Sequence, residues 1–177
     1  VDVIEAIRTR RSTRAFRPAP VREADIDRVL EAARLAPSAG NLQAYEIILV
    51  TPDALSVLAM AAPGHPGVTQ AAAALVFCAD RNRSSARYGR RGASLFAVQD
   101  ATIACAYAQL AATELGLATL WIGAFDDDAV RERFGIEAGL SPIAILLLGH
   151  SAERPAPVGR RAIGELVRRV GGLPRRG

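Results

Sequence analysis

Within five residues, Arg10-Arg11-Ser12-Thr13-Arg14, the chain places three guanidinium groups and two hydroxyls. Guanidinium forks and hydroxyls are charge-assisted donors, and such a set suits a compact anion. A second arginine pair, Arg160-Arg161, lies in a Pro- and Arg-rich tail. All 22 basic residues are arginine. The lack of lysine excludes Schiff-base chemistry, anchoring of pyridoxal phosphate and a complete lysine-bearing phosphate loop. Two histidines and two cysteines, far apart, make no structural zinc site, and none is expected.

The formal net charge of +4 is unevenly spread. Residues 1–22 carry six Arg against Asp2 and Glu5, and residues 150–177 carry seven against Glu153 and Glu165. The middle holds nine Arg against fourteen acids. If the two ends meet, they form one anion site; the plain alternative is a solvated basic face. A nucleic-acid track would need interleaved aromatics, and only 5% of the residues are aromatic.

The elements that must position these groups follow from periodicity. Half of the 177 residues are hydrophobic and 23% are charged, enough for one globular domain over 1–177 with a buried core. A first helix is expected from Asp2, a good N-cap, to Arg10, with Val3, Ile4 and Ile7 on one face. A linker over Phe16 to Val21 leads to a second helix, Glu23 to Leu35, burying Ile26, Val29, Leu30 and Ala33 and stopped by Pro37. The loop Pro37-Ser38-Ala39-Gly40-Asn41-Leu42-Gln43 precedes the strand EIILV. Thr51-Pro52 caps a short helix ending near Met60, and APGHPG turns into the buried strand AALVFCA. Residues 80–92 are polar and basic and read as a lid or crossing segment. The longest helix, Ala93 to Leu115, is apolar on nearly every face, which suits the centre of the fold or a subunit interface. TLWIGAF, a helix after Asp126-Asp127-Asp128 and the strand PIAILLLG complete the core; AIGELVRRV is helix or edge strand. This alternation predicts an α+β fold layered as α/β, and no dinucleotide-binding glycine fingerprint follows the first strand.

Cys78 and Cys105 sit in apolar stretches and read as small core residues in a reducing compartment. With no charged-then-apolar leader and no clean span of about 20 apolar residues, a cytoplasmic location is expected.

Taken in order, RRSTR (10–14), PSAGNLQ (37–43), WIGAF (121–125), LLLGHS (146–151) and the basic tail resemble the FMN-dependent nitroreductase family over essentially the whole chain. The resemblance implies a mixed central sheet flanked by helices, in an intertwined homodimer with FMN at the subunit interface. It assigns the FMN phosphate to Arg10, Ser12 and Arg160, and the edge of the flavin that gains negative charge to Arg14. Arg11 joins them. For Arg11 and Arg14 the alternative is complementation of the first helix's C-terminal dipole. Pro37, Ser38, Ala39, Asn41 and Gln43 reach the flavin of the other subunit; read alone, the stretch is an ordinary loop with Gly40 at positive φ. Ile122, Gly123 and Ala124 lie against the ring, or form a plain strand end. His65 stands where relatives offer an amide to the ring, or belongs to a turn. Ala44-Tyr45 replaces the usual Pro-Trp, and His150 reads as structural. Tyr88 and Arg87 are candidates to orient substrate.

The activity implied is hydride transfer from NAD(P)H, by ping-pong exchange through flavin N5, to an electron-poor acceptor such as a nitroaromatic or quinone. No side chain is assigned as catalyst. Flavin reductases and dehalogenases share the scaffold. A protein that sequesters FMN without turnover, and a nucleic-acid binder, are the readings from other classes.

Overall fold

The computed structural model describes residues 2–171; of the basic tail, Arg175 and Arg176 lie outside them. In chain order the elements are α1 (Val3–Thr9), β1 (Phe16–Arg17), α2 (Glu23–Arg34), β2 (Tyr45–Val50), α3 (Leu55–Ala61), β3 (Ala73–Asp80), α4 (Arg81–Arg91), α5 (Ala97–Glu114), β4 (Ala118–Ile122), α6 (Asp127–Phe134), β5 (Leu140–Ser151) and α7 (Ile163–Leu166). Three-residue turns of 3-10 helix at Ala39–Asn41 and Pro52–Ala54, and a longer one at Pro66–Gln70, punctuate the loops.

The sheet is built on two continuous apolar runs. β3 pairs antiparallel with β2 on one side and with β5 on the other. β5 also pairs antiparallel with β4 and, at its C-terminal end, with β1. All these ladders are antiparallel; the parallel contact among the described residues is the bridge Ser12–Thr119. Side chains alternate across a strand, so each run feeds two cores. Ala74, Val76, Ile145 and Leu147 pack with Leu58 of α3 and Val130 of α6. Leu75, Phe77, Leu146 and Leu148 pack with Val29 and Ala33 of α2 and Ala104 and Ala108 of α5. Helices on both faces explain why these strands read as unbroken hydrophobic stretches. Truncating one such side chain, Leu147→Ala for instance, is expected to cost roughly 2–5 kcal/mol.

Local signals explain most boundaries. Asp2 caps α1 through the Glu5 amide at 2.8 Å, and Asp126 caps α6 through the Ala129 amide at 2.9 Å. Gly116, at φ 75°, ends the turn after α5.

One feature differs from the sequence reading, and two others complete it. The polar stretch 81–91 is helical: the Asp80 carboxylate caps it through the Arg83 amide, and a π-helical turn, Gly92–Phe96, joins it to α5. The resulting rod, Arg81–Glu114, is long and apolar enough by length and composition to cross a bilayer. It instead covers the sheet, burying Asp100 and Gln109 along with five alanines and Cys105. The apolar face of α1 is uncovered, with Val3, Ile4 and Ile7 all more than half exposed. Finally, of the two forms left open for AIGELVRRV the tail takes the helical one, for a single turn, α7, and every residue from Ala156 to Gly171 is exposed.

Candidate functional site

The segment 10–14 is fixed from three sides. The Thr13 amide donates to the Thr119 carbonyl of β4 at 2.9 Å, and Thr119 is itself buried, its hydroxyl accepting from Gln109 Nε2 at 3.1 Å. The Glu153 carboxylate, at the end of β5, accepts from the Arg14 and Ala15 amides at 2.5 and 3.2 Å. Gly67 is the third constraint: a Cβ there would fall 2.4 Å from the Arg14 carbonyl oxygen, so only glycine lets the 63–70 loop close on the segment. Backbone bonds of this kind leave the side chains of 10–14 free to point elsewhere.

All but the buried Thr13 border a groove of about 570 Å³, whose far wall is the tail at Pro155–Val158 and Arg160. Arg8, Arg10, Arg11, Ser12 and Arg14 line it. The two basic ends of the chain therefore meet. Among the described residues, none of these arginines has a carboxylate within ion-pair distance. Like charges gathered without an ion-pair partner repel, and a groove lined by so many arginines favours a multiply charged anion. Arg11 is the exception in orientation, since its Nη1 donates to the Arg8 and Arg10 carbonyls at 2.8 Å each, finishing α1. Arg8 was not singled out by sequence, although its position two residues before Arg10 on the same short helix end is a usable signal.

The loop 37–43 is held separately and under strain. Gly40, Asn41 and Gln43 have φ of 56°, 56° and 49°. For glutamine this region costs on the order of 1 kcal/mol or more, so the surroundings must impose it. They do so through Asp100 of α5, 2% exposed, which accepts from the Ala39 amide at 2.9 Å and the Ala44 amide at 3.4 Å. Ser38 Oγ closes the loop by accepting from the Gln43 amide at 2.9 Å. Its residues line two cavities that share none of the groove's, so groove and loop do not meet within one chain.

Arg87 and Tyr88 belong to the loop's surroundings. Arg87 Nη1 donates to the Gly40 carbonyl at 3.3 Å, and a Cβ on Gly40 would meet the Tyr88 hydroxyl. They brace the loop from α4.

Ile122 is buried at the end of β4, whereas Gly123 and Ala124 are exposed, with open space where a Gly123 Cβ would stand. The 123–125 loop is tied to α3 by the Asp126 amide donating to the Ala61 carbonyl at 2.8 Å. His65 is half-buried, two residues before the Gly67 that abuts Arg14. Pro37 is an exposed rim residue beside the loop. His150 Nε2 lies 3.2 Å from the Pro20 carbonyl oxygen, a structural contact.

The sequence matches the family model described as the nitroreductase family over residues 7–67 and 57–150. It is 34% identical over 160 residues to the oxygen-insensitive NADPH nitroreductase of Salmonella typhimurium, covering 86% of this chain and 67% of that protein. It is 32% identical over 170 residues to the FMN reductase [NAD(P)H] of Bacillus subtilis, covering 88% and 68%. Among solved structures, a nitroreductase family protein from Clostridium difficile superposes with a TM-score of 0.84 at 29% identity, covering 95% of this chain and 98% of that one.

Proposed function

The chain belongs to the nitroreductase family, and on that premise we propose that it is an NAD(P)H-dependent oxidoreductase holding FMN between two copies of itself. The observation that carries the reading is the acid-free groove where Arg10, Ser12 and Arg14 face Arg160. A flavin mononucleotide's phosphate is close to a dianion, and forked donors from both chain ends match it. The relatives' names point the same way, toward NAD(P)H, FMN and nitro compounds.

Bound FMN supplies the two-electron redox chemistry, which this protein's own groups only position and tune. Arg10, Ser12 and Arg160 hold the phosphate, at about 1.5–3 kcal/mol for each hydrogen bond to a charged group. Arg14, exposed where Arg10 and Ser12 are half-buried, favours negative charge on the ring edge it faces. Gly123 and Ala124 offer bare backbone on which a flat ring can lie. His65 borders the same side, through the loop that packs on Arg14. The strained loop with Pro37, Ser38, Ala39, Asn41 and Gln43 covers the ring from the second copy, since it lies apart from the groove of its own chain. Arg87 and Tyr88, which brace that loop, come to the rim where substrate enters. Donor and acceptor, a nitroaromatic or quinone, take turns at that one opening in a ping-pong exchange.

The test is the visible spectrum of the purified protein, with the released cofactor identified by mass. Oxidised-flavin bands that bleach under anaerobic NADH or NADPH are expected. A protein that stays colourless after incubation with FMN overturns the proposal; bound FMN that neither nucleotide reduces makes it a flavin carrier instead.

A further inference from the structure

Residues 81–99 contain five arginines and no acid. The first, Arg81, is turned inward, its Nε donating to Ser141 Oγ and its Nη1 to the Ala93 carbonyl, both at 2.8 Å. Arg83 and Arg87 are exposed one helical turn apart. Arg83 borders a cavity of about 520 Å³ together with Arg34, Asn41 and Gln43. The charge of Arg34 is already matched, because Glu31 receives both arms of its fork at 2.7 and 2.5 Å. Arg83 has no carboxylate partner among the described residues. Arg87, tethered to the Gly40 carbonyl, also lies 5.4 Å from the centre of the Tyr88 ring, so its guanidinium is held at the loop's tip. Helix α4 thus sets two guanidiniums without an ion-pair partner along the loop 38–43, one of them beside a cavity whose wall combines Asn41 and Gln43 with Leu42, Tyr45 and Ile47.

We propose that this cavity takes the adenosine end of NADPH, with Arg83 on its 2′-phosphate and Arg87 flanking it, so that the protein prefers NADPH to NADH. The proposal rests on the reading above, in which this loop borders the flavin. The two nucleotides differ only by that phosphate, a doubly charged group that calls for a fork with no competing acid. A few hundred cubic ångströms suffice for a nucleoside phosphate.

The experiment compares kcat/KM for NADPH and NADH in the flavin-loaded protein, its Arg83→Ala variant and an Arg90→Ala control on the same helix. NADPH should be favoured in the wild type and in the control. Arg83→Ala should lose about tenfold against NADPH, the loss of one charge-assisted contact, while NADH use changes little. Adenosine 2′,5′-bisphosphate should compete with NADPH in the wild type and lose potency in Arg83→Ala. Equal use of both nucleotides by the wild type, or a parallel loss with both in Arg83→Ala, overturns the proposal. A bound flavin that neither nucleotide reduces overturns the oxidoreductase reading beneath it.

Discussion

The carboxylate of Asp100, buried in the longest helix, accepts the amide hydrogen of Ala39, sixty-one residues earlier in the chain, at 2.9 Å. A second bond from the Ala44 amide makes it the clamp that closes the left-handed loop. Asp100→Ala leaves both amides without their partner, at about 1–3 kcal/mol per unsatisfied buried group. A lower urea midpoint and weaker flavin retention are expected, with Asp100→Asn, which keeps one acceptor oxygen, falling between. A variant as stable as wild type that holds flavin equally well would contradict the clamp.

At the groove, Arg10 is half-buried beside Ser12 and opposite the tail. Arg10→Ala should raise the Kd for FMN by about ten- to a hundredfold, the equivalent of one charge-assisted bond, with little change in the denaturation midpoint of the flavin-free protein. Fluorescence titration of the stripped protein reads it directly, and the wild-type affinity should fall as salt rises. Unchanged affinity would remove Arg10 from the phosphate site.

Much of this arrangement can be read from sequence because it is local. The Asp2 and Asp126 caps, the apolar runs at 73–79 and 142–149 and the arginine cluster at 10–14 each declare themselves within a few residues. Helix α4 does not, since its arginines show no apolar stripe; it is held by Asp80 at one end and by Arg81 reaching Ser141, sixty residues away. Asp100 and Glu153 are hidden for the same reason. Each is an acid whose backbone partners lie 56 to 139 residues off, and no spacing rule links them. The exposed face of α1 shows the converse: its amphipathic pattern is plain, but among the described residues its apolar side chains stay more than half exposed.

Both cysteines are fully buried, and burial pushes the Cys78 thiol up to about 12 and Cys105 higher still. An unfolded thiol ionises near 8.5. Above that pH the unfolded chain gives up protons that the folded chain keeps, so stability should fall as pH climbs from about 9 toward 12. Replacing both cysteines with alanine should flatten that decline. Iodoacetamide at pH 8 should leave the native protein unmodified and label it only once denaturant is added; rapid labelling without denaturant would contradict the burial.

The tail supplies the last expectation. Val158, Ile163 and Val170 are 70%, 79% and 82% exposed, and Val3 on α1 is 68% exposed. Apolar surface is worth about 25 cal/mol per Å² when covered, so a second copy that buries these side chains gains several kcal/mol. Light scattering should give twice the 18.7 kDa chain mass. Two substitutions separate the tail's roles. Ile163→Asp puts a charge on the exposed apolar surface that a second copy would cover, and should shift the protein toward monomer, with flavin lost as a consequence. Arg160→Ala takes away a phosphate contact in the proposed site and should release flavin while the light-scattering mass stays that of the wild type. A wild-type monomer that still binds FMN at full occupancy would break the link between the tail, the second copy and the site.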